Sequence, residues 1–187
     1  WWNEQSVSWH GFYMTSDDED ENSDDVIGTH FTFPNYPFRA SGHWVRTGDN
    51  FNPALGFVRR RGGESTGLGF TYYFEQPENE LLEDISVGAE YDRYEWLDGD
   101  LDSDELEINL IGIRTLAGDF LGLEVEFERD ILLEPFEIID EVIIPSSEYK
   151  GIDFELEFRS SSNRPVFGEF EIAYGHFYGG KATNAEI

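Results

Sequence analysis

Carboxylates dominate the side chains that could do chemistry, with Asp+Glu 40 against Lys+Arg 12 in 187 residues. The segment Asp98-Gly99-Asp100-Leu101-Asp102-Ser103-Asp104-Glu105 places acids at alternate positions within a turn-like sequence. Alternate carboxylates of this kind can converge on one hard cation, which makes Asp98, Asp100, Asp102 and Asp104 candidate calcium ligands. The run Asp17–Asp25 also offers oxygen ligands, but it lacks the glycine and terminal glutamate spacing of an EF-hand. For both stretches the plainer reading, a solvated acidic loop or hairpin, is favoured. Paired carboxylates such as Glu155 and Glu169 could serve as acid and base in glycoside hydrolysis. No one pair stands out among so many, so no catalytic residue is assigned. His10, His30, His43 and His176 are scattered, without HxH or HExxH spacing, and give a zinc site little support. With Cys 0, thiol nucleophiles, disulfides and cysteine-based metal sites are excluded. Neither a Gly-x-Ser-x-Gly elbow nor a phosphate loop occurs. Arg59-Arg60-Arg61 is the one basic cluster. It could dock on acidic lumen residues, anchor at lipid headgroups or contact a partner, and the first is the expectation because a lumen lined by these strands would be so acidic.

The formal net charge of −28 repels phosphate backbones, so nucleic acid is excluded as a partner. No apolar run approaches the roughly 20 residues a membrane helix requires. The aromatic fraction, 16%, is rich for a soluble domain and suits a membrane barrel with aromatic girdles.

Period-two alternation organises the chain. Leu121, Leu123, Val125 and Phe127 share one face, opposite Gly122, Glu124, Glu126 and Glu128. Ile152, Phe154, Leu156 and Phe158 oppose Asp153, Glu155, Glu157 and Arg159, and Phe170, Ile172 and Tyr174 oppose Glu169 and Glu171. Similar patterns predict strands over Leu68–Phe74 and Ile85–Asp92, with others over Ser6–Thr15, Val26–Phe33, Phe38–Thr47 and Leu106–Leu116. That makes about nine, each close to the roughly 9–11 residues a tilted membrane strand needs. Ala117-Gly118-Asp119 is a hairpin signal, Ser160–Pro165 a longer turn, and Pro34–Pro37 a proline-bounded link. Two stretches, Gly48–Gly63 and Asp130–Ser147, are longer connections expected to fold back onto the protein.

A sheet with one apolar and one acidic face can close as a sandwich with a dry core, or as a barrel with lipid outside and a wet lumen. Trp9, Tyr13, Tyr36, Trp44, Tyr94, Trp96, Tyr149 and Tyr178 fall near expected strand ends, where interfacial belts sit, and tilt the balance to the barrel.

The segment Gly48-Asp49-Asn50-Phe51-Asn52-Pro53-Ala54-Leu55-Gly56-Phe57-Val58-Arg59-Arg60 resembles the GxxFNPxxGFVxR motif of a bacterial family of outer-membrane β-barrel domains of unknown function. Asn163-Arg164-Pro165 followed by Gly175-His176-Phe177-Tyr178-Gly179-Gly180 is similar to that family's RRP…GxFYxG region. In the family the barrel typically follows a domain like family 9 carbohydrate-binding modules. The resemblance covers the chain roughly from Trp9 to Thr183 and implies a barrel larger than this segment. It carries no catalytic residues. Asp49, Phe51, Asn52, Pro53, Gly56, Phe57, Arg59, Arg164, Pro165, Phe177, Tyr178 and Gly180 inherit a structural role only. The acidity here exceeds what the family leads one to expect.

The combined expectation is an all-β, antiparallel up-and-down meander, an outer-membrane β-barrel or part of one. Residues 1–187 would form a single barrel segment, incomplete at both ends. No enzyme activity and no cofactor is expected, calcium at the Asp98–Asp104 acids being the weak exception. The expected partners are outer-membrane lipid and other envelope proteins covering exposed sheet edges, with a structural, docking or transport-associated role in the bacterial outer membrane. The alternative is a soluble, secreted, acidic β-sandwich that binds carbohydrate or calcium.

Overall fold

The computed structural model describes residues 6–17, 23–53, 56, 58, 60–76, 78–139 and 141–187. The chain is all-β and antiparallel. Its strands are β1 (Ser8–Asp17), β2 (Ser23–Phe33), β3 (Phe38–Thr47), β4 (Gly63–Glu75), β5 (Leu82–Trp96), β6 (Leu101–Thr115), β7 (Phe120–Ile131), β8 (Phe136–Ile139), β9 (Val142–Ile144), β10 (Glu148–Arg159), β11 (Glu169–Phe177) and β12 (Gly180–Glu186). Ten of them form one up-and-down sheet in the order β1-β2-β3-β4-β5-β6-β7-β10-β11-β12, and β8 and β9 form a separate hairpin. Among the described residues β1 and β12 do not meet, so both edges of the sheet are unpaired.

Residues directly opposite in an antiparallel ladder share a face, so the register assigns the two sides of the sheet. One row runs Phe33, Ala40, Phe70, Ala89, Ile108, Val125, Phe154, Tyr174 across β2 to β11. The adjacent row on the other face runs Thr32, Ser41, Gly69, Glu90, Glu107, Glu126, Asp153. Leu110 is the extra residue of a bulge in β6, where Asn109 opposes Glu124 and Ile111 opposes Leu123. Both Leu110 and Ile111 are exposed.

The sheet buries almost nothing on its apolar side. Among the described residues, Val26, Phe51, Tyr94 and Val125 are the buried apolar ones, and no large side chain is fully buried. Leu68, Phe70, Phe127, Phe154, Leu156 and Phe158 are all exposed by 36% or more on one face. The accessible surface is 13251 Å². A compact soluble protein of 21.5 kDa would expose about 9,200 Å².

The ends of the sheet differ. At one end the connections are 18–22, 48–62, 97–100, 132–147 and 178–179; at the other they are 34–37, 76–81, 116–119 and 160–168. The first is the long-loop end, the second the short-turn end. Tyr178 and Gly179, with φ of 42° and 84°, make the two-residue turn between β11 and β12. Positive φ at both central positions matches the right-handed twist of the flanking strands.

The expected strands are present, most of them longer than expected, with β1 shifted to Ser8–Asp17 and β3 unchanged. The acidic stretch 98–105 is only partly a loop, because Leu101 onward belongs to β6. Of the expected long connection 130–147, Asp130 and Ile131 belong to β7, and the rest carries the β8–β9 hairpin. β12 was not expected: Gly180-Lys181-Ala182-Thr183-Asn184-Ala185-Glu186 has no apolar alternation to announce it.

Candidate functional site: a carboxylate face opposite an apolar band

The apolar face is a continuous band. Its rows begin at Trp9, Phe31, Gly42, Leu68, Tyr91, Leu106, Phe127, Ile152 and end at Phe74, Ile85, Ile113, Leu121, Phe158, Phe170. Four rows at about 6.7 Å per residue pair, plus side-chain height, make a band of about 20–25 Å along the strands. Beyond it, toward the long-loop end, the same face becomes amphipathic: Thr29, Trp44, Thr66, Arg93, Asp104, Arg129, Lys150. Trp9 donates its indole N–H to Thr29, and Trp44 donates to Glu64 at 3.2 Å. Arg129 forms a two-point ion pair with Asp104, and Lys150 pairs with Glu148 at 2.9 Å.

The opposite face gathers the carboxylates. Glu107 opposes Glu90 and Glu126, Glu105 opposes Asp92 and Glu128, and Glu124 opposes Glu155. Two open cavities of 480 Å³ and 420 Å³ lie on this side, one reached by β3 to β7 and the other by β2 to β6. Cavities spanning five consecutive strands require the sheet to curve around its charged face. Basic residues on that face sit toward the ends. Arg39 lies over the Tyr73 ring at 4.9 Å, Arg114 opposes Asp84, and Arg159 pairs with Glu157. The middle rows of β5, β6, β7 and β10 therefore hold carboxylates opposite carboxylates. In water such pairs repel by about 1 kcal/mol at 4 Å, and more where solvent is partly excluded.

The proposed calcium ligands are drawn apart. Asp98 lies in the β5–β6 turn and accepts from the Asp100 backbone N–H at 3.0 Å. Asp102 pairs with Arg60 at 2.9 Å, while Asp104 points to the apolar face and pairs with Arg129. Among the described residues no three His, Asp or Glu side chains form a group able to hold a metal ion. Of the Asp17–Asp25 run, residues 18–22 lie outside the described residues. Glu155 and Glu169 both lie on the charged face but do not oppose each other: Glu155 faces Glu124 and Ala173, and Glu169 faces Arg159.

The motif of the 48–62 connection acts as a lock on the long-loop end. Gly48 donates its N–H to the Asp25 carbonyl at 2.9 Å and Asn50 donates to the Asp24 carboxylate at 2.9 Å. Asn52 donates its N–H to Ser16 Oγ at 2.8 Å and accepts from Arg61 at 3.2 Å. Phe51 is buried, at 4% exposure. Pro53 accepts from the Gly56 N–H at 3.2 Å. The Asp49 carboxylate lies 2.1 Å from where a Cβ on Gly62 would stand, and Gly62 has φ of 72°. Only glycine meets both demands. Ala54, Leu55, Phe57 and Arg59 lie outside the described residues. From the basic cluster, Arg60 reaches Asp102 and Ser103 and stacks over the Tyr94 ring at 4.8 Å.

The second motif region has two placements. Arg164 makes a two-point ion pair with Asp119, and Ser161 donates its backbone N–H to the same carboxylate at 2.9 Å, joining the 116–119 and 160–168 turns. This hydrogen-bonded guanidinium, followed by the Ser161 N–H, holds the Asp119 carboxyl well below the usual range. Pro165 lies in the same turn. At the long-loop end Tyr178 meets the rings of Phe136, Tyr149 and Phe177 at 5.4, 5.3 and 5.1 Å. Burial there, then the charges of Asp130 and Glu128, pushes the Tyr178 phenol up. Gly180 opens β12 opposite Phe177.

Not every aromatic expected in an interfacial belt faces outward. The register puts Trp9, Tyr13 and Trp44 on the apolar side but Tyr94, Trp96 and Tyr149 on the charged side. The histidines also proved less scattered than their spacing suggested: His10, His30 and His43 oppose one another directly across β1, β2 and β3. Local sequence carries no sign of this, because cross-strand register is non-local.

No family model, curated protein or solved structure matches this chain.

Proposed function

We propose that the chain is a wall segment of an outer-membrane β-barrel, its apolar band toward lipid and its carboxylate face lining a hydrated lumen. The observation that carries this reading is the uncovered apolar face spanning the sheet. In water, exposed patches of that extent mark interaction surfaces, and monomeric soluble proteins seldom keep them. The roughly 20–25 Å band, the amphipathic row with Trp44 beside it, and long loops at one end against short turns at the other all agree with barrel architecture. The resemblance of the Phe51–Pro53 and Asn163–Pro165 regions to the outer-membrane family supports the same reading. The unpaired edges of β1 and β12 would be covered by further strands or by neighbouring envelope proteins.

A lumen so lined would favour cations and disfavour anions. The role is accordingly structural, docking or transport-associated. A sandwich would need a second sheet over the apolar face, and among the described residues the second sheet is the short β8–β9 hairpin alone.

Fractionation of cells making the full-length native protein tests the proposal. Outer-membrane partitioning, with a compact band on gels that shifts on heating, is expected. A protein that stays in the soluble fraction and migrates identically with and without heating would overturn it.

A further inference from the structure

Basic residues on the apolar side of the sheet gather at one edge of the band. Arg46, Arg93, Arg129, Lys150 and Lys181 all share that side, and all lie at or beyond the edge toward the long-loop end. At the opposite edge the same side shows Phe74, Ile85, Ile113, Leu121, Phe158 and Phe170. Among the described residues no strand Lys or Arg faces outward there, because Arg39, Arg114 and Arg159 lie on the charged face. We propose that the basic row binds the phosphates of anionic lipid headgroups in the leaflet at the long-loop end. This rests on the reading of the band as a lipid-facing wall.

The order of charges along the strands sets what the edge of the band meets first. In the row next to the band, Arg93, Arg129 and Lys150 outnumber the acid Asp104. Glu64, Glu95 and Glu148 lie one row further out. A phosphate at the height of the band's edge therefore reaches bases before acids. Asp104 is taken up by its two-point pair with Arg129. Other pairs leave donors over. Arg46 stands 3.6 Å from Asp25 and 3.8 Å from Glu64, and Arg129 Nη1 stands 4.0 Å from Glu148, all beyond hydrogen bonding. Lys150 pairs with Glu148, yet its side chain is 65% exposed. Such donors hold phosphate oxygens through charge-assisted hydrogen bonds. Trp44, in the same row, marks the height, since indole rings settle at headgroup level. Carboxylates of the other face point into the hydrated lumen, where physiological salt screens them beyond about 8 Å.

The test uses the full chain folded into phosphatidylcholine vesicles at physiological salt, with traces of spin-labelled phosphatidic acid or spin-labelled phosphatidylcholine. Electron paramagnetic resonance reads the fraction of each label immobilised against the protein, and hence the relative affinity of the two headgroups. Phosphatidic acid should be preferred by about 5-fold, the effect of one Lys or Arg beside an anionic surface, or more. Arg93→Gln combined with Lys150→Gln should remove most of that preference. Asp104→Asn, which releases Arg129, should raise it. Arg39→Gln and Arg159→Gln, on the charged face, should leave it unchanged. Equal immobilisation of both lipids, or a preference unmoved by the Arg93 and Lys150 substitutions, would overturn the proposal. Loss of the preference on adding inorganic phosphate would assign the row to free phosphate and overturn the lipid assignment. A chain that does not insert into phosphatidylcholine vesicles at all would remove the barrel reading and this inference with it. Insertion without headgroup preference would remove this inference alone.

Discussion

Individual side chains tie the ends of this sheet together more than they fill a core. Arg60 is the clearest case, reaching from the 48–62 connection to Asp102 on β6 while covering Tyr94. A half-exposed ion pair and a cation–π contact over the buried Tyr94 ring together contribute about 1–2 kcal/mol. Arg60→Ala should therefore leave the strands intact but loosen the loop, read as faster amide exchange and protease cutting within 48–62. The Asp119–Arg164 pair fastens the short-turn end in the same way. Its Asp119 carboxyl is depressed in the folded state, so the contribution is fully present above the ordinary carboxylate pKa and fades as pH falls below it. Acid titration should release the 160–168 turn in the native protein, while in Asp119→Asn the release should already be present at neutral pH. Unchanged proteolysis of that turn in Asp119→Asn would contradict the clamp. Of these contacts the sequence revealed only residue types. Arg60 and Asp102 are 42 positions apart and Arg164 and Asp119 are 45, so their pairing depends on register.

At the scale of strands, alternation was legible wherever one face was apolar, and it located the main sheet except for its last strand. β7 and β10 declare themselves because apolar residues alternate with acids along most of each strand, and a one-residue slip would put glutamates into the apolar band. β12 stayed hidden for the converse reason, having neither apolar face nor turn signal beyond the glycines before it. The side chosen by each aromatic was also hidden, since Trp44 and Tyr94 both lie near strand ends yet face opposite ways. Neighbouring substitutions in β10 should expose the polarity of the sheet. Leu156→Arg, in the middle of the apolar band, should cost about 2–4 kcal/mol of folding into bilayers. Glu155→Arg, facing Glu124, should be neutral or stabilising by removing a like-charge pair. Denaturant titration of vesicle-reconstituted protein measures both, and equal effects would contradict the two-faced assignment.

For the whole molecule, the separation of charge is the organising fact. Carboxylates from adjacent strands share the curved face, while outward basic residues such as Arg46, Arg93, Arg129 and Lys150 lie beyond the apolar band at the long-loop end. If reconstituted channels conduct in planar bilayers, a KCl gradient should give a reversal potential of the sign set by K⁺ selectivity; Cl⁻ selectivity would contradict an acidic lumen. The central claim, that the apolar face meets lipid, is tested most directly along β10. The chain has no cysteine, so single cysteines at positions 152 to 158 can be spin-labelled one at a time in the full-length protein reconstituted into bilayers. The account predicts strict alternation: labels at 152, 154, 156 and 158 accessible to oxygen dissolved in lipid, and labels at 153, 155 and 157 accessible to a water-soluble nickel chelate. Nickel accessibility at every position, without the two-residue period, would contradict it.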